Sequence, residues 1–143
     1  MAHVMMADDD DIILEVFSDA FRRAGHSVGM LTNGLEVLEA LAERSADLLV
    51  LDCTMPEKTG IEVLRELRTS SRHYLLPIMM LTARNSRNDR ELALNSSADL
   101  YYTKDVDPDW FVFQAEELMA SKGRRMTAEP PRATTRRAQM RFC

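Results

Sequence analysis

The chain has 143 residues, 45% apolar and 29% charged, which allows one ordinary domain with its own core. No apolar run reaches the roughly 18 residues of a membrane span, and no basic start followed by an apolar stretch marks a signal peptide, so a cytoplasmic protein is expected. The net charge of -5 hides a division at Gly123: six arginines and a single acid, Glu129, lie beyond it, and the body before it is strongly acidic.

His3–Ala7 is a short apolar run that reads as a first strand and ends in the acids Asp8-Asp9-Asp10-Asp11. Ile13, Val16, Phe17, Ala20, Phe21 and Ala24 then share one helical face, with Asp10 or Asp11 to cap the start and Gly25 to end it. Ser27–Thr32 is a second strand, Asn33-Gly34 a turn, and Leu35, Leu38, Leu41 and Ala42 mark a second amphipathic helix.

The third strand, Leu48-Leu49-Val50-Leu51, is apolar without a break, the pattern of a strand buried on both faces, and it delivers Asp52 to its C-terminal end. Met55-Pro56 breaks the chain, and Thr59 with Glu62 has capping-box spacing for a third helix carrying Ile61, Leu64 and Leu67. Cys53 reads as a packing residue, and with Cys143 it matches no metal or disulfide framework.

Pro77–Leu81 is a fourth strand ending at Thr82, and a weakly marked fourth helix spans roughly Arg87–Asn95. Leu100–Thr103 is a fifth strand ending at Lys104. Asp107-Pro108-Asp109 supplies a cap, a proline at the first helical position and a first-turn acid for a fifth helix to about Lys122. Strand and helix thus alternate five times, which points to an α/β domain around a parallel sheet over residues 3–122. The Pro130-Pro131 pair and the arginines of residues 123–143 read as a basic disordered tail, and contact of that tail with nucleic acid or an anionic membrane is the less favoured reading.

Ligands of open parallel sheets bind at the carboxyl ends of the strands. That rule gathers Asp8, Asp9, Asp52, Thr82 and Lys104 on one rim. Three carboxylates so placed repel unless a proton or a cation joins them, and hard oxygen donors suit Mg²⁺. The Thr82 hydroxyl and Lys104 ammonium would serve a phosphoryl group's oxygens, which makes Asp52 a metal-assisted carboxylate nucleophile that forms an acyl phosphate.

This set of residues resembles the receiver domain of two-component response regulators, of the chemotaxis-regulator type, over about His3–Lys122. The family's acidic pair falls on Asp8-Asp9, its phosphoacceptor on Asp52 within LDCTMPEKTG, its switch hydroxyl on Thr82, its lysine on Lys104 and its switch aromatic on Tyr101. The resemblance implies a flavodoxin-like, doubly wound five-stranded sheet in the order 2-1-3-4-5 with five helices. It also implies Mg²⁺ held by Asp8, Asp9, Asp52 and the backbone carbonyl of Thr54, and phosphoryl transfer from a sensor histidine kinase or histidine phosphotransfer protein. Two positions depart from the family: Asp105 replaces the usual proline after the lysine, and Ser97 stands where glycine is usual.

The expected function is that of a single-domain response regulator, phosphorylated on Asp52 and signalling to a downstream protein through the face of the fourth helix, fifth strand and fifth helix. Its only catalysis would be its own phosphoryl transfer and dephosphorylation. Tyr102, Trp110 and Phe113 are candidates for aromatic surface on that face. The alternative is a receiver-like interaction module with weak or absent phosphorylation switching. A phosphatase of the haloacid dehalogenase type would need a second acid where Thr54 stands, and a flavin carrier would need hydroxyls and backbone donors where Asp8–Asp11 crowd the first loop.

Overall fold

The structure, a computed structural model, describes residues 1–83 and 97–121. Five strands, β1 (His3–Ala7), β2 (Ser27–Leu31), β3 (Leu48–Leu51), β4 (Ile78–Thr82) and β5 (Leu100–Thr103), form one parallel sheet in the order β2-β1-β3-β4-β5. Among the described residues four helices accompany them: α1 (Asp11–Arg23), α2 (Gly34–Glu43), α3 (Gly60–Arg68) and α4 (Pro108–Ala120). The helix expected near Arg87–Asn95 and the tail 123–143 lie outside the described residues. No described helix is long and apolar enough to cross a membrane.

Every residue of β3 and β4 is buried, as unbroken apolar strands covered on both faces must be. One core layer packs Val37, Leu41, Ile61 and Leu64 of α2 and α3 against Met5, Leu49, Leu51 and Met80, and Tyr101 joins this side. The opposite layer packs Leu14, Phe17 and Phe21 of α1 and Phe111 of α4 against Val4, Met6, Val50 and Met79. Phe111 is its hub, meeting Phe17, Phe21 and Tyr102 edge-on at centroid distances of 5.4, 6.1 and 5.5 Å.

The caps form from local chemistry. Asp10, not Asp11, starts α1, its carboxylate accepting from the amides of Ile12 and Ile13. Gly25 follows that helix at a φ of 98°, where a β-carbon would be strained. Asn33 is more than a turn residue, because its side chain caps α2 by accepting from the Glu36 amide. Thr59 and Glu62 complete the expected capping box, and Asp107 caps α4 ahead of Pro108.

The buried face of α1 is rotated from the expected one. Leu14, Phe17, Ser18 and Phe21 face inward, at helical spacing, whereas Val16 and Ala24 are exposed. On α2, Val37 takes the buried place expected for Leu35, which is exposed. A helix holding apolar residues at adjacent positions offers more than one candidate stripe, and the sheet decides between them.

Candidate functional site

The register that pairs Ala7 with Leu51, Leu51 with Met80, and Thr82 with Thr103 brings four strand ends to one rim. Asp8 follows β1 and its amide bonds the Leu31 carbonyl of β2; Asp52 follows β3 and its amide bonds the Ala7 carbonyl of β1, at 3.1 and 3.0 Å. Both carboxylates are almost closed off from solvent, at 3% and 4% exposure. Asp9 is exposed, yet ligand atoms of Asp8, Asp9 and Asp52 lie within 4.8 Å of one another.

Lys104 reaches this cluster from the end of β5. Its Nζ donates to Asp8 Oδ1 at 3.0 Å and to Asp52 Oδ2 at 3.2 Å, while its amide donates to the Thr82 carbonyl at 2.9 Å. The expected lysine position therefore forms with Asp105 in place of proline, and no cis peptide occurs among the described residues. Asp105 has a contact of its own, accepting a hydrogen bond from the Thr103 hydroxyl. Thr82 is fully buried at the end of β4, and Tyr101, three residues before the lysine, is buried as well. Thr54 is exposed on the loop after Asp52.

Electrostatics follow from the crowding. Burial and the Asp52 charge push the Asp8 carboxyl up to about 7, against hydrogen bonds from the Asp10 amide and Lys104. Burial opposes the charge on Lys104, but its hydrogen bond to Asp8 and the Asp52 and Asp8 carboxylates outweigh that and raise its pKa. A carboxyl held so high in its range marks an excess of buried negative charge that one ammonium does not balance, and the donor set of three carboxylates fits a hard divalent cation.

Sequence reasoning missed two supports of the site. Gly60 donates its amide to the Cys53 carbonyl at 2.9 Å, and a β-carbon there would stand 1.9 Å from the Asp52 carbonyl oxygen. Gly34 meets the same loop, its β-carbon position 2.0 Å from the Lys58 carbonyl oxygen. Both glycines had a sufficient local explanation, in a capping box and a turn, so nothing in the sequence pointed to close backbone approach. Ser97 does sit in the left-handed region, at a φ of 78°, as glycine's usual place there implies. A cavity lies elsewhere, among Leu41, Asp47, Arg72, His73 and Pro77 at the amino ends of the strands, away from the carboxylates.

The comparisons agree with this geometry. Residues 4–115 match the family model of the response regulator receiver domain. Response regulator MprA of Mycobacterium bovis is 34% identical over 139 residues, 97% of this chain and 56% of that protein. Response regulator protein PmrA of Pseudomonas aeruginosa is 37% identical over 106 residues, 74% of this chain and 47% of its own length. The chain thus spans about half the length of the curated relatives it matches. Among solved structures, a response regulator from Chloroflexus aurantiacus superposes with a TM-score of 0.80 at 26% identity, over 83% of this chain and 98% of that one. The Francisella response regulator 1452 receiver domain gives 0.77 at 28%, over 84% and 98%. A 2-1-3-4-5 sheet with an acidic cluster and a lysine at its carboxyl rim, matched by that profile and those relatives, makes this chain a member of the response regulator receiver domain family.

Proposed function

We propose that Asp52 accepts a phosphoryl group from a histidine of a sensor kinase or phosphotransfer protein, and that the chain signals in the cytoplasm by phosphorylation-dependent protein contact. The observation that carries this reading is the placement of Lys104, 3.2 Å from a buried Asp52 that shares its cluster with two further carboxylates. An Asp52 carboxylate oxygen attacks phosphorus, the phosphorus–nitrogen bond to the donor histidine breaks, and the electron pair leaves with the imidazole. Lys104 offsets charge on the phosphoryl oxygens, and the Thr82 hydroxyl is the second donor from the same rim. Asp8, Asp9, Asp52 and the Thr54 carbonyl are the groups that would hold Mg²⁺, which when bound neutralises charge on the transferring group. The chain's own phosphoryl transfer and hydrolysis of the product are its only reactions in this reading.

Incubation with acetyl phosphate and Mg²⁺ followed by intact-mass measurement tests it. A gain of about 80 Da is expected, the mass of one phosphoryl group, and Asp52→Asn should abolish it, because an amide is not a nucleophile toward phosphorus. Equal labelling of the mutant would move the acceptor elsewhere. No labelling of either protein would favour an interaction module without phosphorylation.

A second reading concerns the output. The match to MprA runs over 139 residues, past residue 115 where the family match ends, and another relative, from Pseudomonas aeruginosa, is described as the transcriptional regulatory protein GltR. In this reading the receiver governs transcription, with residues 123–143 as its connection to the output. Phosphorylation-dependent binding of the chain to promoter DNA in complex with a partner would separate it from contact with protein alone.

A further inference from the structure

The amino ends of β3 and β4 border a cavity of about 390 Å³, within the range of about 300–1,000 Å³ usual for small-ligand sites. One wall is the end of α2 and the turn after it, with Leu41, Ser45 and Asp47; the other is the connection from α3 to β4, with Arg72, His73 and Pro77. Hydrogen bonds of the fold fix both walls. Asp47 accepts from the His3 amide through Oδ2 at 2.9 Å and donates its own amide to the His3 carbonyl at 2.8 Å. Opposite, the Arg68 guanidinium holds the carbonyls of Tyr74 and Leu76, while the His73 amide bonds the Ser70 carbonyl and the Leu76 amide bonds the His73 carbonyl. Walls braced in this way are set before any ligand arrives, so binding costs little reordering.

The floor and the polar edge differ in chemistry. Leu41 and Pro77 are buried and supply an apolar floor. The Arg72 guanidinium, the His73 imidazole and the Ser45 hydroxyl make no hydrogen bond or ion pair among the described residues, so the fold does not use them. Burial and the Arg72 charge hold His73 below the usual imidazole range, which leaves its ring a neutral donor and acceptor at neutral pH. Asp47, by contrast, already has the His3 amide on its carboxylate.

We propose that this cavity is a second ligand site, taking a small organic anion whose carboxylate or phosphate pairs with the Arg72 guanidinium and whose apolar body lies on Leu41 and Pro77. A planar guanidinium offers paired donors that match either head group, and Ser45 and His73 stand beside it as further donors. The site lies at the opposite ends of β3 and β4 from Asp52 and Thr82. It stands whether or not Asp52 is phosphorylated.

Benzoate and phenyl phosphate are the probes, added in chelator to the full chain while its amide signals are followed by NMR. Saturable shifts at Ala46, Asp47, His73 and Leu76 are expected, with a Kd of about 1 mM or tighter for at least one probe, and the better probe names the head group. Arg72→Glu, an exposed change that breaks no hydrogen bond or ion pair of the fold, should weaken binding at least about tenfold, the loss expected for a hydrogen-bonded charge pair. Its melting temperature should match that of the wild type. No saturation by either probe at about 10 mM, or equal affinity in Arg72→Glu, would overturn the proposal. Benzamidine binding as tightly as the anions would overturn it as well, by making Asp47 the recognising charge. Shifts confined to Asp52, Thr82 and Lys104 would do the same, by placing the anion on the rim.

Discussion

The carbonyl oxygen of Asp52 lies 1.9 Å from the point where a β-carbon on Gly60 would stand. No side chain fits there, because the obstacle is backbone and that backbone holds the candidate acceptor. Gly60→Ala must therefore push Asp52 away from Lys104 or shift the start of α3. Loss of phosphoryl uptake is expected, together with destabilisation of about 1–3 kcal/mol, the usual cost of overpacking a core. Mass measurement after acetyl phosphate treatment and urea denaturation check the two effects. Wild-type values in both would show that the loop yields freely.

The Asp8 carboxyl, raised to about 7 in the fold from 3.8, fixes the sign of two pH effects. The fold prefers the protonated form, so the advantage it gains from that proton is complete at low pH and is lost as pH rises toward about 7. Melting temperature in chelator should accordingly fall between about pH 4 and 7 through this group and level off above that. A cation bound by the same carboxylates must displace the proton, so Mg²⁺ affinity should rise over the same interval and level off above about pH 7. Calorimetric titration at several pH values checks this, and Asp8→Asn should flatten the dependence. An affinity independent of pH would remove Asp8 from the ligand set.

Much of the site was legible because strand ends are simple to read. Unbroken apolar runs such as Leu48–Leu51 and Ile78–Leu81 end abruptly in polar residues, and a parallel sheet brings those ends together. Capping also reads locally, as Thr59 with Glu62 and Asp107 with Pro108 show. Contacts between distant backbones do not. Neither the Gly60–Asp52 approach nor the inward turn of Leu14 rather than Val16 has a local signature, since each depends on which neighbour the sheet supplies. Arg68 is the strongest case: it is the last residue of α3, yet its side chain is only 8% exposed.

Arg68 closes the far end of the sheet. Its guanidinium donates to the carbonyls of Ser97, Tyr74 and Leu76 and to Asp99 at 2.8 Å, and Asp99 also accepts from the Ile78 amide at 2.8 Å. The pair is largely buried, with side-chain exposures of 8% and 13%. Arg68→Ala would leave the Asp99 charge and three carbonyls without that donor, so destabilisation of about 3–5 kcal/mol is expected, as for breaking a buried pair. Phosphoryl uptake by the protein that remains folded should be unchanged, because the rim is at the other end of the strands. A loss under 1 kcal/mol in urea denaturation would show that water replaces the guanidinium.

The last prediction concerns how phosphate at Asp52 is felt beyond the rim. The sequence suggests that Thr82, turning toward new phosphoryl oxygens, vacates space for Tyr101 to fill. Tyr101, however, is already 5% exposed and packed into the layer with Met80 and Ile78, while Thr82 is fully buried. A ligand shifts a two-state equilibrium only by the population still in the other state, so a ring that is inward beforehand has little left to move. Beryllofluoride with Mg²⁺ should therefore displace the amide signals of Thr82, Ala83 and Lys104 strongly, those of Trp110–Phe113 weakly, and the ring signals of Tyr101 least. Asp105 bonds the Thr103 hydroxyl in the loop between Lys104 and α4, and Asp105→Pro removes that bond and fixes the loop's φ. The shifts at Trp110–Phe113 should grow in that variant, as a stiffer link passes more of the change at Lys104 to the helix. Ring shifts of Tyr101 as large as those at Thr82 would mean that the unphosphorylated protein holds the ring outward, and equal shifts at Trp110–Phe113 in both proteins would mean that the loop does not set the coupling.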